Sequence, residues 1–396
     1  MANNEFSSPE GDLEEYFLSE YLLIDQWVGD TLWTWGNGVV GQLGDSIKVT
    51  KSQPATTFAG GTNWKQVSCG GYHTSAIKTD GTLWTWGEGS SGKLGNFTVE
   101  SRSTPVVIPG QPRWRQVFCG LNHTSAISID GTLWTWGNNN SGALGINNLA
   151  NRSLPVSTFS GGTNWKQVAC GDGHTAAVKT DGTLWTWGNN NSGALGINNI
   201  ANRSLPVSTF SGGTNWKQVS CGYRNTAAIK TNGTLWIWGE NTYGRLGIGP
   251  DFASRSTPVT TIVGGTNWKQ VSCGRNHTSA IKTDGTLWIW GRNDLGQLGV
   301  NDTTNRNTPV TTFSGGTNWK QVSGAAFATV AVKTDGTLWL WGNNTNGELG
   351  IIDAISRSTP ITTFAGGTNW KQVYFGGLNR HISAITTGTD PTFFIA

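Results

Sequence analysis

Charged residues are scarce in this chain: Asp, Glu, Lys and Arg make up 13% of its 396 residues, and the formal net charge is only +3. This balance argues against nucleic acid as a partner, because nucleic-acid-binding domains are typically strongly basic. No stretch approaches the ~18 consecutive apolar residues of a membrane-spanning helix. The first 17 residues lack the basic start and apolar core of a secretory signal. These absences predict a soluble protein that does not insert into membranes.

Tryptophan and glycine are abundant instead, with 22 and 56 residues. Fourteen of the tryptophans form W-x-W pairs that recur every 50 to 52 residues, at Trp33/Trp35, Trp84/Trp86, Trp134/Trp136, Trp185/Trp187, Trp236/Trp238, Trp288/Trp290 and Trp339/Trp341. In an extended strand, side chains two residues apart lie on the same face. We therefore expect seven copies of one strand, with both indoles of each pair buried between neighbouring sheets.

Each copy contains four short stretches with turn signals between them. A W-[KR]-Q-V stretch is followed by one such as HTSAIKT (73–79), then by a D-G or N-G turn and the W-x-W stretch. A long polar loop with the motif G-x-L-G comes next, and a stretch containing proline completes the unit. A unit of about 50 residues with four strands cannot bury both faces of its sheet alone. Radial repetition of such sheets is the propeller solution.

The two ends of the chain are complementary. The first W-x-W stretch (32–36) has no W-K-Q-V before it, and the last W-K-Q-V stretch and HISAI (381–385) have no W-x-W stretch after them. The sequence therefore predicts an all-β fold, a single seven-bladed β-propeller with four antiparallel strands per blade and one blade closed by N- and C-terminal strands. The expected domains are a leader or tether at 1–19, the propeller at 20–387 and a tail at 388–396. The stretch 20–29 is expected to form a strand that continues into the first blade.

The segment VSCGGYHTSAIKTDGTLWTWGEGSSGKLG (67–95) resembles the repeat of the regulator of chromosome condensation family. That repeat combines C-G-x-x-H-T, a D-G turn, an aromatic-x-W-G strand and G-x-L-G, and the match covers roughly residues 30 to 387. The resemblance implies a seven-bladed propeller with a split blade. The family includes a guanine-nucleotide exchange factor that binds chromatin and many propellers with other partners, so fold alone does not decide function. The leader in 6–36 and the nearly identical, Asn-, Gly- and Thr-rich blades also resemble propellers encoded by tailed bacteriophages.

Cysteine and histidine recur at fixed repeat positions. The cysteines are Cys69, Cys119, Cys170, Cys221 and Cys273, and a histidine follows four residues later at His73, His123, His174 and His277, with His381 at the equivalent strand start. An odd number of thiols in separate blades argues against disulfides. One Cys and one His per blade do not converge on one point, so we expect no metal and no cofactor. Each histidine is expected to hydrogen-bond the backbone of its own blade.

No catalytic group stands out, and we expect a protein that is not an enzyme. Asp172 is an acid outside the repeat pattern beside His174, but no base and orienting partner accompany it. A cation also recurs three residues before each strand proline, at Lys51, Arg102, Arg152, Arg203, Arg255, Arg306 and Arg357. This ring could grip a polyanion, or each cation could brace its own blade against carbonyls.

The blades differ from one another chiefly in two connections, whereas T-D-G-T and G-G-T-N hardly change. The pair after C-G reads Gly71-Tyr72, Leu121-Asn122, Asp172-Gly173, Tyr223-Arg224, Arg275-Asn276, Ala326-Phe327 and Leu378-Asn379, and the long loop after W-G varies as well. These are the first and third connections of the four-stranded unit, which emerge on one face of the ring, and loops on rigid scaffolds carry binding. The candidate binding residues, expected to project from that face, are Tyr72, Asn122, Tyr223, Arg224, Arg275, Asn276 and Phe327.

The sequence favours a non-enzymatic binding or structural propeller, a virion-associated component of a phage in its tail or in host-surface recognition. The expected partners are a protein or glycan at the variable loops and other virion proteins through residues 1–19. Its location would be the virion, or the cytoplasm if the gene is not viral. The alternative is a guanine-nucleotide exchange factor or a chromatin-binding propeller. Exchange needs a unique acidic or wedge-like element on one face, and no such element is evident in the sequence.

Overall fold

A computed structural model describes residues 29–110, 112–376 and 381–388. The described residues form 28 β-strands in seven four-stranded antiparallel sheets. Their only helices are two 3-10 turns, at Ser90–Gly92 and Thr242–Gly244. No helix of the described part has the length and apolar character needed to cross a bilayer. The predicted seven-bladed all-β propeller is confirmed.

The strands occupy four concentric positions in the ring. The innermost strands are β3 (Trp64–Cys69), β7 (Trp114–Cys119), β11 (Trp165–Cys170), β15 (Trp216–Cys221), β19 (Trp268–Cys273), β23 (Trp319–Gly324) and β27 (Trp370–Phe375). The second strands are β4 (His73–Lys78), β8 (His123–Ser128), β12 (His174–Lys179), β16 (Asn225–Lys230), β20 (His277–Lys282), β24 (Ala328–Lys333) and β28 (His381–Thr386). The third strands are β1 (Thr31–Gly36), β5 (Leu83–Gly87), β9 (Leu133–Gly137), β13 (Leu184–Gly188), β17 (Leu235–Gly239), β21 (Leu287–Gly291) and β25 (Leu338–Gly342). The outermost strands are β2 (Lys51–Thr56), β6 (Arg102–Val107), β10 (Arg152–Ser157), β14 (Arg203–Ser208), β18 (Arg255–Thr260), β22 (Arg306–Thr311) and β26 (Arg357–Thr362).

Six blades are continuous in sequence, and we number them 1 to 6 from β3–β6 to β23–β26. The seventh, the closing blade, has the strand order β2-β1-β28-β27 and takes two strands from each end of the described chain. Strand β1 pairs with β28 along its whole length, from Thr31 opposite Thr386 to Gly36 opposite His381. The predicted closure is confirmed. The expected strand at 20–29, the leader and most of the tail lie outside the described residues.

The two indoles of each W-x-W pair differ in burial and in their hydrogen-bond partners. In blade 3, Trp187 is 0% exposed and its Nε1 donates to the carbonyl of Ala143 in blade 2 at 2.8 Å. Trp185 is half-buried and donates to Thr183 of its own turn at 3.0 Å. The seven second-position tryptophans all donate across to the preceding blade. Among these hydrogen bonds, only those of the second indole join two blades. The first indole packs against a core cluster shared by two blades, as expected, but it is half-buried.

The last glycine of G-x-L-G makes this close contact possible. Gly145 has φ +67°, and a Cβ there would lie 2.8 Å from Nε1 of Trp187. A larger residue would both strain the backbone and push the indole out of the seam between the blades.

The histidines also join blades, which corrects the prediction that each bonds its own backbone. His123 Nε2 lies 2.9 Å from the hydroxyl of Thr175 in the next blade, and that hydroxyl donates its proton to the carbonyl of Ala143 at 2.8 Å. Nε2 must therefore carry the proton that it donates to Thr175. Burial lowers the pKa of His123 to about 3, so the ring stays neutral. The same His–Thr bond recurs at His73, His174, His277 and His381.

The five cysteines are free thiols at the ends of innermost strands. Burial raises their pKa values, to about 11 for Cys119 and to about 12 for Cys69. A thiol with a raised pKa is a poor nucleophile at neutral pH. Cys69, Cys119 and Cys273 are buried, whereas Cys170 and Cys221 are half-buried.

Candidate binding face

The first and third connections of each blade meet at one end of the ring. In blade 1 the backbone N–H of Glu88, which opens the long loop, donates to the carbonyl of Tyr72 in the first turn at 2.9 Å. Blades 2 and 4 repeat this bond from Asn138 to Asn122 and from Glu240 to Arg224. We call this end the variable face. The opposite end, formed by the D-G turns and the G-G-T-N turns, is the constant face. The prediction that the variable connections share one face is confirmed.

Buried side chains hold the variable face together. Lys93, the x of G-x-L-G in blade 1, is 0% exposed, and its ammonium donates to Glu88 at 2.8 Å and to Asn122 of the next blade at 3.0 Å. Arg245 is 1% exposed and donates to the carbonyl of Arg275 at 2.9 Å. The long loop of one blade thus braces the first turn of the next. From the sequence, G-x-L-G is assigned only to a long polar loop; the charged residues Lys93 and Arg245 inside this recurring motif are the signal of a bracing role.

The predicted residues of blades 4, 5 and 6 come together. The guanidinium carbons of Arg224 and Arg275 lie 4.9 and 4.7 Å from the ring centre of Tyr223. Arg275 also lies 5.9 Å from the ring of Phe327. We call these four residues the arginine–aromatic cluster. Arginine stacked on an aromatic face keeps the N–H edge of its guanidinium available to another acceptor.

Two further residues of the long loops, Arg292 and Tyr243, extend this cluster and were not among the predicted binding residues. Arg292 lies 5.4 Å from the ring centre of Phe327 and 5.0 Å from that of Tyr243. Unlike the arginines of the cluster, Arg292 has a carboxylate partner, Asp294, at 2.5 Å.

The remaining predicted residues have other surroundings. Tyr72 and Asn122 are half-buried in blades 1 and 2. Both contact Lys93, whose ammonium lies 5.9 Å from the ring centre of Tyr72. Asn276 is only 7% exposed, so it does not project from the face as expected. Its backbone carbonyl accepts the N–H of Arg292 at 2.9 Å, which anchors the start of the long loop.

The arginines of the cluster differ from the cations of the outermost strands in whether they have a charged partner. Among the described residues, no carboxylate lies within 4.0 Å of the guanidinium nitrogens of Arg224 or Arg275. The outer cations are instead satisfied within their own blades: Lys51, Arg102, Arg255, Arg306 and Arg357 pair with acids, and Arg152 and Arg203 donate to carbonyls. These contacts favour the bracing interpretation of that ring over polyanion binding.

A cavity of about 200 Å³, which we call the channel, lies on the axis of the ring and is lined by residues of all seven innermost strands. Asp172, Tyr223 and Arg275 line it next to the variable face. Inside, the rings of Phe118 and Tyr374 meet edge to face at 6.2 Å. Burial raises the pKa of Asp172, while the nearby Arg224 and Arg275 act in the opposite direction. The mouth of the channel therefore presents two cations, one acid and an aromatic surface.

Within the described residues, no three His, Cys, Asp or Glu side chains come close enough to hold a metal ion. His174, two residues after Asp172, is occupied by its bond to Thr226 at 2.9 Å. The arrangement at the channel mouth is suited to binding a charged group.

Comparison with known proteins identifies the family. The chain belongs to the RCC1-like domain family, whose model matches residues 31–383. It is 34% identical over 365 residues to the ultraviolet-B receptor UVR8 of Arabidopsis thaliana, a match that covers 90% of this chain and 71% of UVR8. It is 28% identical over 362 residues to the mitochondrial RCC1 domain-containing protein RUG3 of the same plant, covering 81% and 79%. The human E3 ubiquitin-protein ligase HERC2 is 33% identical over 288 residues, which cover 72% of this chain and 5% of HERC2.

Solved structures agree on the fold. Prp20p of Saccharomyces cerevisiae superposes with a TM-score of 0.81 at 20% identity, covering 92% of this chain and 93% of Prp20p. Human WBSCR16 gives a TM-score of 0.80 at 22% identity, covering 91% and 100%. At these identities the likeness concerns the fold alone, and the function has to be argued from the site.

Proposed function

We propose that the protein is a non-enzymatic binding propeller whose variable face recognises an anionic group on a partner protein or glycan. One observation carries this proposal: Arg224 and Arg275 stack on Tyr223 at the channel mouth and have no carboxylate within 4.0 Å among the described residues. Two cations beside one another repel, the single nearby acid Asp172 offsets only part of their charge, and an incoming anion would relieve the remaining repulsion.

The chemistry of the cluster suits such a partner. A guanidinium binds a carboxylate, sulfate or phosphate through paired N–H donors. The rings of Tyr223 and Phe327 offer apolar surface beside the cations, and arginine and aromatic residues are enriched among the residues that dominate binding energies. Asp172 at the same mouth can accept an N–H or O–H of the ligand. A carboxylate next to a hydrogen-bond donor, as in an acidic peptide or an acidic sugar, matches all three features.

The face is also held in place before any partner arrives. Lys93 and Arg245 are almost fully buried and tie the long loops to the first turns of the next blades. A preformed surface loses little conformational entropy on binding. Such bracing favours recognition of a defined partner shape.

Relatives support a binding role in general terms. Prp20p has been described with its binding properties to Gsp1p and histones, and the name of UVR8 denotes a receptor. For this chain we propose a location in a tailed-phage particle, as a virion component that recognises the host surface. The support is the resemblance of its leader and of its nearly identical blades to phage-encoded propellers. Mass spectrometry of purified particles tests this location: absence of the chain from the particles would contradict it.

The binding face is tested with two charge-matched variants. Arg224→Gln/Arg275→Gln removes the unpaired cations, and Arg152→Gln/Arg203→Gln removes two cations from the rim of the same face that donate to carbonyls at 3.2 Å. Wild type and both variants are applied to an array of acidic and neutral glycans and to the purified structural proteins of the particle. We expect attachment to survive in the rim variant and to fall at least ~10-fold in the cluster variant.

Two results would count against the proposal. Equal weakening in both variants would mean that attachment depends only on net charge. Loss of attachment only in a chain lacking residues 1–12 would move the partner site to the leader.

A further inference from the structure

A ring of cations surrounds the axis of the propeller at the constant face. It consists of the second residue of every innermost strand: Lys65, Arg115, Lys166, Lys217, Lys269, Lys320 and Lys371. The six lysines are exposed and Arg115 is half-buried. Because the innermost strands begin at the constant face and surround the channel, these residues encircle its axis. We call this set the lysine ring.

A β-bulge positions each of these cations. In blade 1 the register between the first two strands shifts after Trp64, and Lys65 has no partner across the sheet. The same irregularity occurs at the start of the other six innermost strands. A bulge changes the direction in which its extra residue projects. The seven bulges therefore place the ring residues outside the cross-strand pairs of their sheets.

Glutamine side chains fix the base of the ring. Gln66, next to Lys65, donates to the carbonyl of Val117 in the next innermost strand at 2.9 Å and accepts the N–H of the same residue at 3.1 Å. Equivalent pairs of bonds start at Gln167, Gln218, Gln270 and Gln321. Between blades 2 and 3, Arg115 makes the connection by donating to the carbonyl of Trp165 at 2.7 Å. The ring residues are thus anchored close together on a rigid base.

The lysine ring is short of counter-charge. Lys371 pairs with Asp30, but within the described part of the chain the other five lysines of the ring have no carboxylate within 4.0 Å. The acids of the D-G turns are engaged in their own turns, as Asp181 accepts the N–H and the hydroxyl of Thr183 at 2.9 and 2.7 Å. Like charges held close together repel, and an anion that contacts several of them relieves this repulsion.

A second set of lysines, at the ends of the second strands, adds to the positive charge of the constant face. The ammonium of Lys78 lies 4.8 and 4.7 Å from the ring centres of Trp64 and Trp84. The same contact with two indoles is made by Lys179, Lys230, Lys282 and Lys333. The seven ring residues and these five lysines together outnumber the five acids of the D-G turns and Asp30 by two to one. The indoles hold the second set in place, whereas the ring lysines are exposed to a ligand.

We propose that the lysine ring binds a compact polyanion with several phosphate groups, centred on the axis of the propeller. A lysine ammonium binds phosphate as a point charge with three rotatable donors, and it needs no planar acceptor. A phosphate monoester carries about 1.5 to 2 negative charges, so about four of them match the ring within a small volume. Cations arranged around one point let a single ligand contact several lysines at once, and these individually weak contacts then add up. The ligand class is a free, multiply phosphorylated small molecule. This inference does not depend on what the variable face binds.

Titration calorimetry of the full chain with tripolyphosphate tests this site. Wild type is compared with Lys166→Gln/Lys217→Gln/Lys269→Gln/Lys320→Gln and with a control that removes the same charge from the outermost strands, Arg152→Gln/Arg203→Gln/Arg306→Gln/Arg357→Gln. We expect wild type and control to bind one tripolyphosphate per chain with similar affinity, and the lysine variant to bind at least ~20-fold more weakly. The affinity of wild type should fall as the salt concentration rises. Cooperative thermal unfolding of each variant without ligand verifies that the propeller is folded.

Comparison ligands define the chemistry of the site. Monophosphate and citrate should bind at least ~10-fold more weakly than tripolyphosphate, because monophosphate contacts fewer lysines and citrate carries less charge per acidic group. Three results would overturn the proposal: no saturable binding in wild type, equal weakening in the lysine variant and the control, or citrate binding as tightly as tripolyphosphate. A preference for a long DNA duplex over tripolyphosphate at equal phosphate concentration would also overturn it, because the partner would then be a polymer that lies across the face.

Discussion

Residues 130–171 and 181–222 are the same 42-residue sequence except at Leu149/Ile200 and Ala169/Ser220. Both stretches form a third strand, a long loop, an outermost strand and the next innermost strand, with matching strand lengths. The residues that follow differ completely: Asp172-Gly173-His174 in one and Tyr223-Arg224-Asn225 in the other. We call this shared stretch of strands and loops the body of the repeat. A nearly identical body is thus followed by an acid at the variable face in blade 3 and by a cation stacked on an aromatic ring in blade 4.

This difference shows where the sequence of a blade is free to change. The body is bounded on both sides by neighbouring blades, so its indoles and carbonyls must match those of the next copy. The first turn faces solvent on one side and touches its neighbours through a few contacts, such as Lys93 to Asn122 and Arg275 to Tyr223, so its pair of residues varies from blade to blade. The change from histidine to asparagine removes a hydrogen bond between blades 4 and 5. Buried Asn225 makes no bond to Thr278 of the kind that His174 makes to Thr226.

The largest expected effect lies in the body. Trp187→Ala should lower the free energy of unfolding by about 3 to 5 kcal/mol, because it empties a fully buried site and removes a bond between blades. Trp185→Ala should cost about 1 to 2 kcal/mol, since this indole is half-buried and bonds only its own turn. Chemical unfolding of both variants measures the difference. Equal losses would contradict the division of labour between the two indoles.

The next largest effect on the free energy of unfolding is expected at the seams, the contacts between the second strands of adjacent blades. The seam between blade 6 and the closing blade has Ala328 and Ile382 where five of the other six seams have histidine and threonine, and both are buried. His277→Ala should cost about 2 to 3 kcal/mol through the cavity and the lost bond to Thr329. Adding Thr329→Ile should recover about 1 kcal/mol, because the larger apolar side chain fills part of the gap. If the double variant is less stable than the single one in thermal unfolding, the two kinds of seam are not interchangeable.

The buried histidines make the body sensitive to acid. Burial lowers the pKa of His174 to about 4 from an ordinary value of 6.5, so the unfolded chain takes up a proton first as the pH falls. Stability from this site is present above pH 6.5 and is lost between 6.5 and 4. His174→Asn, which copies blade 4, should reduce the loss of unfolding free energy between pH 7 and 5 by about 1 to 2 kcal/mol. Identical pH profiles of the melting temperature would disprove the assignment.

The smallest effect on stability is expected at the variable face. Substituting Tyr223, Arg224 and Phe327 together by alanine should change the free energy of unfolding by less than about 1 kcal/mol, because these side chains are exposed or half-buried. Attachment to the partner should nevertheless weaken. A large drop in melting temperature would mean that the cluster contributes to the stability of the fold and is not primarily a binding surface.

Much of the architecture could be predicted because it depends on short-range patterns that the chain repeats seven times. The W-x-W pairs, the D-G turns and the unmatched strands at the two ends were sufficient for blade number, strand order and closure. The candidate face could be placed for the same reason, since alternate connections of a meander must emerge on one side. Asn276 was misjudged because its neighbour in the turn faces solvent while its own side chain turns inward, and a pattern of variation does not distinguish the two.

The sequence by itself determined the propeller, its split blade and the face on which the copies differ, because these follow from strand periodicity and repeat spacing. Only the tertiary structure decided which polar groups meet across seams and which charges stay unpaired. The histidines bond threonines about 50 residues away, and the outer arginines meet acids while Arg224 and Arg275 meet an aromatic ring. Hydrogen bonds and ion pairs form within about 3 to 4 Å. Their partners therefore depend on how neighbouring blades dock, which no single repeat contains.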